Sequence, residues 1–446
     1  MLPRLIHLAR RSLHGRRSPP SNGRDGWGDE ARGLLLRLVL VFLLLAEVAG
    51  AQTNGEVDPP SSGLKLPDLG SLKVGGVQVG VAPVEVSGAN AGLPFEVRNT
   101  SEPVAAPTPA QRGEIVAAPV PSLSPTFGFG IAGGVGYIYH PSGQGTDSPP
   151  WVTGAGAFYA ENGSWGGGLG HKMNLAQDRW RLLGFGGYAN VRYDFFGIGQ
   201  AAGENDSFVS LSQNVAGGLV EGLYRVSGPF YAGVRYSFAH VTTGYEGSSL
   251  PPHINDLLKG RQVDAVLSAP ALRLQWDTRD SQFSPTRGWF VDGEAAFFDE
   301  AFGSDFTYQA VSLLANRYWG IAEGHLLAFS SYGRFSFGRV PFFGLSRFGA
   351  KNQLRGYPMG RYQDRMLLAG QAEYRFQVTQ RFGVVAFGGV GAVAPDFGEF
   401  RHANPLPSGG FGIRYLLAKA NKVNFRVDVA WGKDGHAVYL GVGEAF

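Results

Sequence analysis

Apolar and polar residues alternate with a period of two through most of the second half of the chain. Phe425, Val427, Val429 and Trp431 share one face of a segment whose other face carries Arg426 and Asp428. Leu272, Leu274 and Trp276 stand against Arg273, Gln275 and Asp277 in the same way. Ala372, Tyr374, Phe376 and Val378 stand against Gln371, Glu373, Arg375 and Gln377. Trp289, Val291, Ala295 and Phe297 against Asp292 and Glu294 repeat the pattern once more. Period two is the signature of strands with one apolar and one polar face. A soluble sandwich would bury mainly aliphatics and turn its charges to bulk water. Here aromatics crowd the apolar face, often near segment ends, as the interfacial girdles of a transmembrane β-barrel require.

Counting the alternating segments back from the C-terminus places strands near 436–446, 422–432, 407–417, 381–395 and 366–378, preceded by a long loop, 339–365. Earlier segments lie near 323–338, 304–319, 287–299, 262–278, 229–245, 207–226, 178–194, 165–175, 152–161 and 127–139. A barrel with both ends on one side needs an even number, so a further strand is expected at about 113–121, turned by Ser122 to Pro125, giving about sixteen in all. Tight turns such as Ser227-Gly228-Pro229 and Val378 to Arg381 then fall on the periplasmic side. Loops near 195–206, 246–261 and 339–365 fall outside.

Composition narrows the picture. Of 446 residues only 17% are charged, 67 are Gly, and no uninterrupted apolar run follows residue 51, unlike either a helical membrane protein or an average soluble one. Small residues suit a crowded, curved barrel wall. The absence of Cys excludes a disulfide scaffold, a thiol catalyst, a thiolate metal site and a lipid-modified N-terminal Cys. A net charge of +3, widely dispersed, gives no footprint for nucleic acid.

The chain divides into a leader and signal over 1–51, a linker over 52–112 and the barrel over 113–446. Leu34 to Val48 is a short apolar run behind Arg32, ending on Ala49-Gly50-Ala51, so cleavage is expected between Ala51 and Gln52. A signal anchor is the alternative reading of the same run, and the long basic leader allows a translation start further downstream. Arg10-Arg11 and Arg16-Arg17 lie too far from the apolar run for a twin-arginine signal, a route for folded cargo. The destination is general export through a periplasm to the outer membrane of a double-membraned bacterium. Pro59-Pro60, Pro103, Pro107 and Pro109 punctuate the Gly- and Ser-rich linker, which reads as extended and largely disordered, with some strand near Val74 to Val86.

The segment from Phe348 to Phe376 carries Leu354-Arg355-Gly356-Tyr357, then Gly360-Arg361-Tyr362, then a strand with Glu373. It resembles the signature loop of the BamA/TamA family of outer-membrane barrels, the bacterial surface antigens. Asp277-Thr278-Arg279-Asp280 with Pro285-Thr286-Arg287-Gly288 is similar to that family's periplasmic turn, and Phe425 to Phe446 to its closing strands. The resemblance covers about 113–446. It implies a sixteen-stranded barrel whose sixth extracellular loop folds back into the lumen, with Phe446 as the C-terminal assembly signal. Family members tend to carry an Asp where this chain has Gly389. They also generally carry POTRA modules before the barrel, which capture clients by strand addition, where this chain has a linker. Either separate periplasmic modules are supplied by another protein, or this is a reduced barrel.

A guanidinium drawn into the lumen must meet a carboxylate in good geometry. Alternation puts Glu373 on the inward face, making it the expected partner of Arg355. Gly356 is read as a position of close approach or positive φ, and Tyr357 as a packing anchor. No catalytic constellation stands beside this loop. Gly344 to Gly349 misses G-x-S-x-G spacing, and Gly128 to Gly133 matches G-x-G-x-x-G inside a strand with no following helix. The nine His never pair at ligand spacing, and Asp292 with Glu294 reads as a wet lumen wall. Neither an enzyme nor a cofactor is expected. Two readings remain. One is an assembly or translocation factor for outer-membrane protein or lipid, working with client polypeptides and the barrel assembly machinery. The other is a passive or gated pore, or a structural surface barrel, plugged by loop 339–365.

Overall fold

A computed structural model describes residues 85–87, 90–92 and 114–446, apart from 140, 142–150, 246–263, 282–283, 350–353 and 419–422. The expected leader, the Ala51/Gln52 cleavage point and most of the linker lie outside the described residues. Within the linker, Glu85–Ser87 and Asn90–Gly92 pair as a small antiparallel hairpin.

Sixteen antiparallel strands close into a barrel. The first five are β1 (Glu114–Ser124), β2 (Gly128–Tyr139), β3 (Trp151–Ala160), β4 (Trp165–Leu175) and β5 (Trp180–Phe195). Then follow β6 (Val209–Ser227), β7 (Phe230–Tyr245), β8 (Asp264–Asp277), β9 (Arg287–Phe298), β10 (Tyr308–Ala322) and β11 (His325–Gly338). The last five are β12 (Met366–Gln377), β13 (Phe382–Ala394), β14 (Leu406–Ala418), β15 (Val423–Gly432) and β16 (Gly435–Val442). The strand expected at 113–121 runs on to Ser124, and its turn shifts accordingly, because the Ser124 hydroxyl accepts from the Phe127 N–H at 3.0 Å.

Burial inverts the rule for soluble proteins. On β15 Asp428 is fully buried while Trp431 is 46% exposed, and on β8 Arg273 is buried while Leu272 is half exposed. Charged residues therefore pack within the lumen and apolar ones face outward, the arrangement a barrel surrounded by lipid needs. At the short-turn rim Trp180 packs on Tyr224, Phe382 on Tyr415 and His325 on Phe376, with ring centroids 4.7, 5.0 and 4.6 Å apart. Near the opposite rim Trp165 packs on Tyr188 and Trp431 on Phe411.

One lumen wall is lined by an ionic ladder. Arg273 of β8 meets Asp292 and Glu294 of β9 at 2.9 and 2.8 Å, and Arg235 of β7 meets Glu221 and Glu294 at 2.6 Å each. Beneath it the β4–β5 turn holds Ala176, Gln177 and Asp178 at positive φ, a costly run for residues with a Cβ. Asp178 binds Arg181, Arg225 and the Tyr231 hydroxyl at 2.8, 2.6 and 2.7 Å, which offsets that cost.

Two features set the stage for function. Between β11 and β12 the long loop enters the lumen, where Ser346–Arg347 pairs with Gln363–Asp364. And while β1 pairs with β2 along its whole length, β16 meets β1 at one registered pair, Leu440 with Leu123. The strand expected to reach residue 446 ends at Val442. Gly443 turns the chain at φ +87°, and the remaining residues enter the lumen.

Candidate functional site: the luminal loop clamp

Arg355 is 1% exposed and sits among side chains from four strands. Its Nη1 donates to Asp428 Oδ2 of β15 at 2.7 Å, and its Nη2 donates to Glu373 of β12 and, at 3.3 Å, to Gln371 Oε1. The guanidinium plane lies over the Phe387 ring of β13, 3.4 Å from its centroid, adding a cation–π contact. Ser408 of β14 donates to the Arg355 carbonyl. Alternation explains the convergence, since Glu373, Phe387 and Asp428 all fall on inward positions of their strands. Two carboxylates on different strands can be bridged by one planar fork of donors, which a lysine lacks.

The residues flanking Arg355 fit the same cradle. Leu354 is buried against β13, and a Cβ on Gly389 would lie 2.5 Å from Leu354 Cδ1 and 2.5 Å from the Gly370 carbonyl oxygen. Glycine at 389 thus makes room for the loop. Gly356 adopts φ +105°, a Cβ there would lie 2.9 Å from the Trp431 carbonyl carbon, and its N–H donates to Tyr439 Oη of β16 at 2.8 Å. The Tyr357 hydroxyl donates to the Pro407 carbonyl at 2.6 Å and accepts from the Lys433 N–H at 3.1 Å. Its ring meets Phe348 and Tyr362 edge-on.

Toward the long-loop rim the same loop is tied down from above by the β5–β6 connection, which carries a short helix, α1 (Gln200–Glu204). Arg361 donates to the Gly203 carbonyl at 3.1 Å and to Asp206 at 2.8 Å, and it lies over Phe196. Gln363 exchanges hydrogen bonds with Gly197 and Gly199 of that connection, each at 2.9 Å. The Met359 N–H donates to Thr126 Oγ1 in the β1–β2 turn at 2.7 Å. The loop is therefore fastened both to the wall and to neighbouring loops.

Of the residues singled out in the sequence, Leu354, Arg355, Gly356, Tyr357 and Glu373 come together here. Phe446 is not among the partners of Arg355 but lies beside the same cluster in the lumen. Its main-chain oxygen accepts from Arg375 Nη2 at 2.9 Å, and its ring faces the same guanidinium. The family resemblance points to position 389 for a second carboxylate, where this chain has Gly, and Asp428 is not among the residues the sequence singles out. The signal was present, because Asp428 already stood on the charged face of its segment. Gln371 and Phe387 were legible only as inward positions. Among the described residues no group of three or more His, Asp or Glu could hold a metal ion.

A closed antiparallel barrel of sixteen strands, lipid-facing outside, charged within and entered by a clamped loop, defines a transmembrane β-barrel protein. Residues 171–446 match the Omp85 superfamily domain, well over half of the chain, and the chain belongs to that superfamily. It is thus an outer-membrane barrel of the BamA/TamA-like kind, at family level one of assembly and translocation. No curated protein sequence matches it. Among solved structures it is similar to BamA from Haemophilus ducreyi lacking POTRA domains 1–3, with 13% identity, a TM-score of 0.52, and 74% of this chain and 70% of that one covered. It is also similar to CdiB from Escherichia coli, with 9% identity, a TM-score of 0.51, and 73% of this chain and 62% of that one covered. At such identities the likeness is one of fold, and the chain spans less than two thirds of that CdiB.

Proposed function

We propose that this protein assembles or translocates outer-membrane protein or lipid, and that its substrate passes at the seam between β1 and β16 rather than through the lumen. The single registered pair that joins those strands carries this reading. Every other neighbouring pair in the barrel wall is laced by a run of partners, so the wall gives most easily here. The clamped loop supports the same reading from the other side. A conduction path down the lumen would have to displace Arg355, Tyr357 and Tyr362, all buried, while a path through the seam displaces none of them at the start. In this account Arg355 and Glu373 act as the loop's anchor, and Leu354, Gly356 and Tyr357 as the shape that lets it dock.

The precursor is exported with cleavage between Ala51 and Gln52, and Phe446 serves as the signal by which the barrel assembly machinery inserts this barrel in its turn. The surrounding lipid, client polypeptides and separately supplied periplasmic modules are its partners. Depletion in the native host, followed by quantification of the outer-membrane proteome and surface lipid, tests the reading, together with conductance of the purified barrel in planar bilayers. A broad fall in other barrels or in surface lipid, with only brief conductance events, is expected. An unchanged envelope with steady conductance would overturn it in favour of a pore.

A further inference from the structure

The segment Gly443–Phe446 occupies the lumen beside the loop clamp, and the two share their ionic partners. Glu444 Oε2 pairs with Arg414 Nε at 2.8 Å, while Arg414 Nη1 also donates to Asp428. Arg375 donates to the Phe446 main-chain oxygen and pairs with Glu373 Oε2 at 2.8 Å. Asp428 and Glu373 are the two carboxylates that hold Arg355. Arg375 and Arg414 therefore each bridge from an anchor of the loop to the terminal segment. All of these side chains are buried, so their interactions are little screened.

Charge balance sets the sign of the coupling. Four guanidiniums, Arg355, Arg375, Arg414 and Arg426, share three side-chain carboxylates, Glu373, Asp428 and Glu444, and Arg375 also meets the Phe446 main-chain oxygen. Withdrawing Glu444 leaves the same cations on two carboxylates, and the surplus opposes insertion of Arg355. Withdrawing Arg355 frees Glu373 and Asp428 to occupy Arg375 and Arg414 fully, which loosens their hold on Glu444. Each segment thus stabilises the other.

The alternative place for the segment is the wall, as a continuation of β16 along β1. From the Leu440–Leu123 pair, the next residues to meet on that edge are Val442 with Pro121 and Glu444 with Pro119. Proline has no N–H to give. The β1–β2 ladder runs through Pro119 and Pro121 without a register shift, so the missing donors fall on the seam edge. The wall therefore offers the segment a poor ladder, and the lumen offers it ion pairs.

We propose that Gly443–Phe446 is a latch, docked in the lumen on Arg375 and Arg414, that couples the seam between β1 and β16 to the clamp on Arg355. This goes beyond the assembly reading, because it concerns only segments of this chain and holds whatever crosses the seam. Extending the segment onto the wall strips Glu444 from the clamp and loosens the loop, and release of the loop frees the segment to extend.

The chain has no cysteine, so single introduced thiols report each segment separately. Met359→Cys reports the loop and Ala445→Cys the latch, both buried positions, by maleimide labelling of the folded, heat-modifiable fraction of the full-length protein. Because linkage is reciprocal, Glu444→Gln is expected to speed labelling at position 359 by about five-fold or more, and Arg355→Ala to speed labelling at 445 by a similar factor. Asn424→Ala removes another partner of Glu444, held at 2.7 Å, without changing any charge. It is expected to act in the same direction to a smaller degree, and it serves where Glu444→Gln fails to fold. Acceleration confined to 445 in the Glu444 and Asn424 variants, or at neither position, would overturn the latch.

Discussion

At the scale of single residues, the energetics rest on buried charge. Arg355 is held by carboxylates on β12 and β15, each of which would lose a buried partner without it. Arg355→Ala is therefore expected to lower barrel stability by an amount on the order of 3 kcal/mol and to expose the loop to protease, read by heat-modifiability and limited proteolysis. Arg355→Lys should recover little, because one ammonium cannot span both carboxylates as the guanidinium does. Resistance equal to the parent in both variants would remove the clamp from the account. Asp178 gives a pH-dependent case in the β4–β5 turn. Burial alone would raise its pKa, but Arg181, Tyr231 and Arg225 outweigh burial and hold it below the usual carboxylate value. A carboxylate depressed in the folded state contributes stability that is full above its unfolded pKa and is lost as pH falls through the folded one. Asp178→Asn should thus destabilise the barrel at neutral pH and make little difference in strong acid, measured as the shift in unfolding midpoint. An equal shift at both extremes would contradict this.

At the scale of elements, the strands were the most legible part of the molecule, because each must show lipid one face and the lumen the other, and the resulting alternation is written residue by residue. Arg355 with Glu373 was legible for the same reason: one sits in a motif, the other on an inward position. Asp428 was harder, since alternation says which way a side chain points but not which distant strand will face it across the lumen. Beyond Val442 the alternation breaks, because Glu444 falls on the row of Val438 and Leu440 that faces lipid, and Gly443 and the ion pair to Arg414 turn the chain inward there. The proposed cause of the break at the seam, two prolines on β1, is legible only once the Leu440–Leu123 pair sets the register of β16 against that strand. Replacing Pro119 and Pro121 with valine returns two donors to that edge of β1. The double variant is expected to gain hydrogen-exchange protection at Val442 and neighbouring amides and to unfold at a higher temperature. Unchanged protection would mean that something other than the missing donors holds the seam apart.

At the scale of the whole molecule, a closed wall, a clamped loop and a seam of one registered pair underlie the proposal that the barrel opens at its side and not through its centre. The central claim is that opening at this seam is what the protein is for. The absence of cysteine allows a clean test, since Leu123→Cys with Leu440→Cys places the only two thiols at the one registered pair of the seam. The measurement is the outer-membrane proteome and surface lipid of cells that depend on this double variant, compared with and without a membrane-permeant reductant. The account predicts depletion-like loss of other barrels or of surface lipid while the disulfide is closed, reversed when it is reduced. An envelope of normal composition with the seam fully cross-linked would contradict it.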